Sequence, residues 1–277
     1  MSTIRAQLKR AETFLQEDAK LEAEILLAHV LQKPRSYLHA WPEDKLSVET
    51  IALFDSYVNR RVLQEPIAYI IGSREFWSLN LTVTADTLIP RPETELIIET
   101  VLSLYANHES LKIADLGTGS GAIALALGHE RPTWKIVATD VSEHALLVAE
   151  KNARACNVDN VTFAQGSWCE ALNVADFNVI VSNPPYIAEN EWDSYAQGLA
   201  FEPKAALLSG QDGLDAIRII SSSARNHLLS GGCLVIEHGF KQAPLIREIL
   251  QIDGYTKVQS VGDLLNYERV TLGYCFR

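Results

Sequence analysis

The chain has 277 residues, 47% hydrophobic and 21% charged, with a formal net charge of −11. That balance describes a folded protein of one large or two modest domains, and no apolar run approaches the ~18–20 residues of a membrane helix. Residues 1–80 hold 10 Lys/Arg against 11 Asp/Glu and residues 81–277 hold 14 against 24, with no basic cluster beyond Lys9-Arg10 and Arg60-Arg61, so direct binding of duplex DNA is not expected. Met1-Ser2-Thr3-Ile4-Arg5 lacks the apolar region of a signal peptide, and a cytoplasmic monomer with no membrane partner is expected. Cys156, Cys169, Cys233 and Cys275 form no C-x-x-C pair, which predicts neither a zinc site nor a disulfide framework.

Residues 1–72 read as a small helical domain. Leu21, Ile25, Leu26 and His29 with Val30 recur at helical spacing, and Ile51, Phe54, Val58 and Val62 form a second stripe closed by Pro66; both are expected to build a core. In Phe76 to Val83 the apolar Leu79, Leu81 and Val83 alternate with polar residues, predicting one arm of a β-hairpin that links the domains over residues 73–90. The prolines of Ile89-Pro90-Arg91-Pro92-Glu93-Thr94-Glu95 mark a helix start, with acids complementing its positive end. Arg91 can face a cleft.

From residue 91 the chain reads as one α/β domain reaching residue 277. Strands are predicted near 111–116, 135–140, 160–165, 176–182 and 232–238, and helices near 121–130, 142–155, 212–229 and 241–251. This alternation gives a mostly parallel sheet with ligands at the carboxyl ends of its strands. The closing segments 255–261 and 269–274 are β-rich and can pair as an antiparallel hairpin.

Four motifs follow strand ends. Leu111 to Leu116 runs into Gly117-Thr118-Gly119-Ser120-Gly121 and then a helical run from Ala122. Such a glycine loop lets backbone N–H groups approach a nucleotide-like ligand at a helix N-terminus, with Asp115 as a hydrogen-bond acceptor. Asp140 closes the next strand, about 20 residues on, where an acid commonly receives ribose hydroxyls; it or Ser142 can also cap the following helix. Because Gly117, Gly119 and Ala122 also satisfy G-x-G-x-x-G/A, spacing alone leaves NAD open. The third motif is Gly166-Ser167-Trp168. The fourth, Asn183-Pro184-Pro185-Tyr186, ends the run Phe177 to Ser182. Two prolines fix their own φ and bias the residue before them toward extended geometry, so the Asn183 side chain and the Pro184 carbonyl form a clamp suited to a planar NH2 group. Glu237 and His238, also after a strand, read as structural.

With these motifs on one rim, the chain resembles the class I S-adenosylmethionine-dependent methyltransferases, which have a Rossmann-like seven-stranded sheet ending in an antiparallel hairpin. The strings Ile89 to Glu95, Asp115 to Gly121, Val181 to Ile187, Phe201-Glu202-Pro203 and Glu268-Arg269-Val270 more narrowly resemble the bacterial PrmC/HemK family, over nearly the whole chain. The resemblance implies an enzyme that methylates the side-chain amide nitrogen of the glutamine in the Gly-Gly-Gln tip of class-1 peptide chain release factors, with residues 1–72 recognising that substrate. It implies S-adenosyl-L-methionine on Asp115, Gly117, Thr118, Gly119, Ser120, Gly121, Asp140, Trp168 and Asn183. It further implies catalysis by Asn183, Pro184 and Tyr186, and acceptor contacts from Asn183, Pro184, Pro185, Tyr186, Arg91 and Glu202. Ser167 stands where the resemblance leads one to expect an acid.

The clamp alone also suits a ribosomal-protein glutamine or an exocyclic amino group of adenine or guanine. An NAD-linked oxidoreductase is the reading from a second class, although Asn-Pro-Pro-Tyr offers hydride transfer no evident acid or base. A non-catalytic cofactor-binding scaffold is the third.

Overall fold

The computed structural model describes residues 2–16 and 18–277. The chain divides into two compact units, Met1–Ser73 and Arg74–Arg277.

The first unit is all helical: α1 (Ile4–Glu12), α2 (Ala19–Leu31), α3 (Arg35–Ala40), α4 (Val48–Val62) and α5 (Ile67–Ile71). Side-chain caps start two of them, Thr3 Oγ1 accepting from Ala6 N at 3.3 Å and Ser47 Oγ accepting from Thr50 N at 3.1 Å, which satisfies donors that a helix end leaves orphaned. Leu26, Leu27, Phe54 and Val58 are buried in one cluster with Ile4, Leu38 and Ile70. The predicted stripes differ from this core at their ends. Leu21 and Val62 are exposed, and the inward face of α2 is instead built from Ala23, Leu26, Leu27 and Ala28.

In the second unit, a short hairpin of β1 (Ser73–Phe76) and β2 (Leu79–Thr82) precedes the 3-10 turn Pro92–Thr94 and α6 (Glu95–Leu104). β3 (Lys112–Leu116), α7 (Ala122–Glu130), β4 (Lys135–Asp140), α8 (Glu143–Cys156), β5 (Val161–Gln165) and β6 (Phe177–Ser182) then alternate. α9 (Trp192–Leu199), α10 (Asp215–Ala224), β7 (Leu228–Glu237), α11 (Ala243–Ile252), β8 (Thr256–Gly262) and β9 (Glu268–Cys275) complete the chain. The large sheet has seven strands in the order β5-β4-β3-β6-β7-β9-β8. Only β9 runs against its neighbours, inserted between β7 and the edge strand β8.

Both faces of the sheet are covered, so its central strands carry apolar residues on both faces rather than alternating, with Asp115 of β3 and Asn178 of β6 as polar exceptions. Ile113, Val179, Val181 and Val235 point into one cluster with Ile97, Ile98 and the residues of α7, together with Phe76, Leu79 and Leu81 of the hairpin. Their neighbours Ala114, Ile180, Leu234 and Ile236 point into the other, against Ile217, Ile220, Ile246 and Leu250 of α10 and α11. Fully burying each Val, Leu or Ile side chain stabilises the fold by ~1.5–3 kcal/mol. Strand order reverses its direction of growth at β3, where β4 lies on one side and β6 on the other. The crevice at such a switch point, outside the carboxyl ends, is where open α/β sheets hold ligands.

Two expected elements are shorter or displaced. The predicted helix 212–229 is confined to α10, because Gly213 precedes it in the left-handed region at φ +74°. β7 begins earlier than predicted, its Gly231 and Gly232 being absorbed where the register with β6 shifts between Phe177 and Val179. Gly213 also lies against the loop that follows β6. A Cβ built there would fall 2.3 Å from the Tyr186 carbonyl oxygen, and backbone on both sides leaves neither group room to move. Gly213→Ala is therefore expected to destabilise by about 2 kcal/mol or more, lowering Tm by ~4–8 °C in a unit of this size. Gly198→Ala, in α9 with nothing within 4 Å of the new methyl, is the calorimetric control and should cause no loss.

Candidate functional site

A cavity of about 380 Å³ opens at the carboxyl ends of β3, β4, β5 and β6. Gly117 to Ser120, Asp140, Ser167, Trp168, Asn183 and Pro185 line it, with Asp86 to Leu88, Pro90, Arg91 and Thr94 on one side and Pro203, Ala205 and Ala206 on another. Of the residues expected at the site, Asp115, Gly121, Pro184, Tyr186 and Glu202 do not form its wall. They lie in the layer behind it or in the segments that frame it.

Asp115 sits on the face of β3 that meets α7 and is fully buried. Its Oδ2 accepts from Thr118 Oγ1 at 2.6 Å and from Ala124 N at 3.2 Å, so the carboxylate ties the glycine loop to the first turn of the helix. Oδ1 has no hydrogen-bond partner. Burial pushes the Asp115 carboxyl up to about 7, against the lowering effect of Thr118 and Ala124 and with a further rise from Asp140.

The loop itself differs from a phosphate cradle. Gly117 N and Thr118 N each donate to Thr139 O at 2.8 Å, Gly121 N donates to Thr118 O at 2.9 Å, and Gly119 N donates to Asp140 Oδ2 at 2.9 Å. These N–H groups were expected to approach a ligand, and the fold spends them internally. Asp140 also places a carboxylate against Gly119, where a pyrophosphate bound as in dinucleotide folds would be repelled. Its Oδ1 accepts from Ser142 N at 2.9 Å, and Ser142 Oγ caps α8 by accepting from Ala145 N at 3.2 Å. Trp168, at φ +48°, turns its ring onto Gly117, where an added Cβ would meet the ring at 3.1 Å.

At the other end, Asn183 follows Ser182, whose Oγ donates to Leu116 O at 2.7 Å and holds the ends of β6 and β3 together. The Asn183 Nδ2 donates to Thr94 Oγ1 at 3.1 Å. That bond fixes which end of the amide is the donor and leaves Oδ1 for a ligand. The loop beyond is pinned from behind: Gln242 Nε2 donates to Tyr186 O at 3.0 Å, while its Oε1 accepts from Gly239 N at 2.9 Å. Ile187 N donates to Leu207 O at 2.9 Å and Ser209 N to Ile187 O at 3.0 Å. The Tyr186 phenol is pushed up by burial, then by Glu237, with Arg269 and Arg91 opposing.

Arg91 and Glu202 were expected to touch the acceptor, and the structure joins them to each other. Glu202 is buried, accepts from the Arg91 guanidinium and takes Ile89 N at 3.0 Å, so both of its oxygens hold the Ile89-Pro90-Arg91-Pro92 segment beside the cavity. Arg91 still contributes to the wall. His238 is enclosed, Nδ1 facing Gly239 O at 3.0 Å and Nε2 facing Thr271 Oγ1 at 2.8 Å. It is not on the cavity wall. Sequence reasoning missed Thr94 and Gln242, and read Glu237 as structural. Their partners are 89 and 56 residues away for the first two, and no local signal marks either.

Two buried carboxyls set a pH dependence. Glu237, at the end of β7, is likewise pushed up to about 7, by burial first, with Thr94 opposing, Glu93 adding to the rise, and Arg269 and Asn183 opposing. A folded-state pKa raised above the unfolded value contributes stability that is complete below the unfolded value near 4 and is lost as pH rises through about 7. The unfolding free energy should therefore fall between pH ~4.5 and ~7.5, by on the order of 3 kcal/mol for each group. Urea midpoints measured across that window should vary less in Asp115→Asn, which keeps an acceptor for Thr118 and Ala124; an unchanged slope would remove Asp115 from the account.

Two family models match the chain: the PrmC N-terminal domain over residues 2–72 and the methyltransferase small domain over residues 92–210. A release factor glutamine methyltransferase of Coxiella burnetii is 48% identical over 93% of this chain and 92% of its own length. The proteins of the same name from Aliivibrio fischeri and Pseudomonas aeruginosa are each 44% identical, over 98% and 99% of this chain and 97% and 99% of their own lengths. Among solved structures, the catalytic domain of hMettl16 in complex with an RNA hairpin superposes with TM-score 0.60 at 18% identity, covering 91% of this chain and 92% of that one. A methyltransferase from Pyrococcus furiosus gives TM-score 0.55 at 20% identity, over 72% and 90%; both likenesses concern the fold. With a methyltransferase sheet carrying Asn183 beside the glycine loop, and near-complete alignment to these relatives, the chain belongs to the release factor glutamine methyltransferase family of enzymes.

Proposed function

We propose that the chain transfers a methyl group from S-adenosyl-L-methionine to the side-chain amide nitrogen of the glutamine in the Gly-Gly-Gln tip of class-1 peptide chain release factors, acting in the cytoplasm as a monomer. The observation that carries this reading is the fixed polarity of Asn183: with Nδ2 committed to Thr94 at 3.1 Å, the carbonyl end of the amide is left to meet an NH2 group. The helical unit is assigned to recognition of the release factor, which agrees with its match to the PrmC N-terminal domain.

The residues present suit the donor. Asp115 leaves a buried carboxylate oxygen without a partner beside the glycine loop, complementary to a cationic ligand. Each Asp140 oxygen accepts one backbone N–H and keeps a lone pair for a hydroxyl. Trp168 offers an aromatic wall, and the cavity volume falls in the range of small-molecule sites. The Gly117–Gly121 loop with Thr118 and Ser120 is assigned to the methionine part, Asp140 to the ribose and Trp168 to the adenine neighbourhood. When bound, the donor supplies an electrophilic methyl group on a sulfonium.

The chain's own part is orientation. An amide nitrogen is a poor nucleophile because its lone pair is delocalised into the carbonyl, so attack requires that nitrogen be turned out of conjugation and held in line. Asn183 Oδ1 and the Pro184 carbonyl accept its two N–H bonds and favour the positive charge that develops on nitrogen. Tyr186 and Pro185 confine the amide plane. After transfer, the N-methylated protonated amide is acidic enough to lose its proton to water, so no histidine or carboxylate base is required.

Labelling from a radioactive methyl donor, offered separately to release-factor, ribosomal-protein and nucleic-acid fractions, should place the label on release factors, and mass mapping should place it on the tip glutamine. Label confined to another fraction overturns the acceptor assignment. Asn183→Ala should slow transfer by about 30- to 1000-fold, equivalent to ~2–4 kcal/mol of barrier, with the donor Kd little changed. Asp140→Ala should do the reverse, weakening the donor Kd at least ~tenfold while kcat at saturating donor holds, as expected of a group that binds ground and transition states alike. Calorimetric titration with S-adenosyl-L-methionine reads the difference.

A further inference from the structure

Glu237 is the least explained charged residue in the molecule. It is 2% exposed, its Oε2 has no hydrogen-bond partner, and it makes no ion pair among the described residues. A buried carboxyl in this condition costs stability, and a residue needed only to end a strand has no reason to be acidic there. Its place in the sheet gives the reason. β6 and β7 are parallel with Ser182 opposite Ile236, so Asn183, the first residue beyond β6, comes out beside Glu237, the last residue of β7, which still pairs with Val270 of β9. Thr94, 3% exposed, completes the group.

The hydrogen-bond inventory of these three residues is directional. Thr94 Oγ1 accepts from Asn183 Nδ2, which leaves the hydroxyl proton to be given to an acceptor. An ionised carboxylate can only accept, and Thr94 and Asn183 are the neighbouring side chains that draw the Glu237 carboxyl down against the effect of its burial. The observed bond runs from Asn183 to Thr94, and a carboxylate beside the pair leaves the Thr94 proton one direction to go, toward Glu237. A side-chain amide is nearly symmetric in shape, and without such a partner it can turn over and present NH2 where its carbonyl should be. Two NH2 groups would then face each other in the acceptor position.

We propose that Glu237 and Thr94 are positioning residues that lock the Asn183 side-chain amide with its carbonyl toward the acceptor, making the site selective for an NH2 donor. This rests on the assignment of Asn183 to acceptor binding, and deepens it. Glu237 touches neither reactant. The groups facing it are Glu93 from the turn before α6, Arg269 from β9, and Tyr186 from the clamp. As Glu237 takes up a proton it becomes a donor itself, and the lock loses its direction.

The decisive variant is Thr94→Val, which keeps the shape and removes the acceptor for Asn183. It should lower kcat by about ten- to a hundredfold, the range for losing the outer partner of an oriented ligand, with the donor Kd by calorimetry and the Tm near wild type. Thr94→Ser should restore most of the activity. Glu237→Gln, which brings a donor as the protonated carboxyl does, should hold kcat near the level wild type shows below pH 7 and abolish the rise of wild-type kcat with pH through about 7. A second readout is independent of the acceptor: the Asn183 side-chain NH2 protons, assigned in the nitrogen-15 spectrum by their disappearance in Asn183→Ala, should exchange at least ~tenfold faster in Thr94→Val, because they lose a buried acceptor. Exchange unchanged in Thr94→Val, or wild-type kcat in that variant on whichever fraction accepts label, overturns the proposal. Label on an acceptor other than a release factor would overturn the substrate assignment alone and leave the exchange result to decide the lock.

Discussion

Three parallel strands ending within one residue of each other bring the parts of the site together. Leu116 lies opposite Ser182, and Ser182 lies opposite Ile236, so β3 and β6 end together and β7 runs one residue further, to Glu237. Parallel strands satisfy their backbones laterally, and polarity is concentrated where they stop. Gly117, Asn183 and Glu237 occupy those stops. The first and last of them are more than a hundred residues apart in the chain, yet the register places all three in a row. The Ser182 Oγ bond to Leu116 O closes the same junction from the side.

A planar clamp needs more than two prolines to stay in place. Pro184 and Pro185 restrict dihedral angles, but they remove backbone donors as well, and the loop they stiffen has to be anchored by others. Gln242 supplies one anchor by bridging Gly239 N and Tyr186 O. Gly213 supplies another by allowing backbone to approach backbone. The Arg91 and Glu202 pair does similar work on the opposite wall, taking Ile89 N as well. Arg91 and Glu202 thus stiffen the segment beside the cavity, and orientation is the resource an amide nucleophile most lacks.

Much of this was readable from sequence where physics is local. β3, β4 and β6 are short apolar runs ending in glycine, acid or Asn-Pro, and a strand buried on both faces has no other pattern to show. The helical first unit and the closing antiparallel pair were equally visible. Boundaries failed where tertiary context overrode composition: Ser230-Gly231-Gly232 reads as a break but is carried inside β7 by a register shift. α9 gave no signal, since none of its described side chains is buried. At the site, Asp115 was recognisable as an acceptor, whereas the internal use of the Gly117, Thr118 and Gly119 N–H groups was not. Thr94 looked like part of a helix start and Glu237 like a strand terminus. Each is also that, and only the fold brings them to Asn183.

Among the described residues, the two acids buried without ion pairs, Asp115 and Glu237, stand at opposite ends of the same constellation, one behind the glycine loop and one behind the clamp. An amide in either place would be cheaper to bury. It would also bring a donor of its own, and both places suit groups that only accept: Asp115 takes Thr118 and Ala124, with one oxygen in reserve near the expected cationic ligand, and Glu237 stands beside the Asn183 and Thr94 pair, whose bond leaves the Thr94 proton to be given away. A carboxylate is the one side chain that accepts at every lone pair and donates nowhere. Placing it in a low-dielectric interior strengthens each bond it receives while lowering the stability of the fold. The raised pKa of both groups is the physical trace of that exchange, a strain accepted at the site because polarity there has to have a single direction.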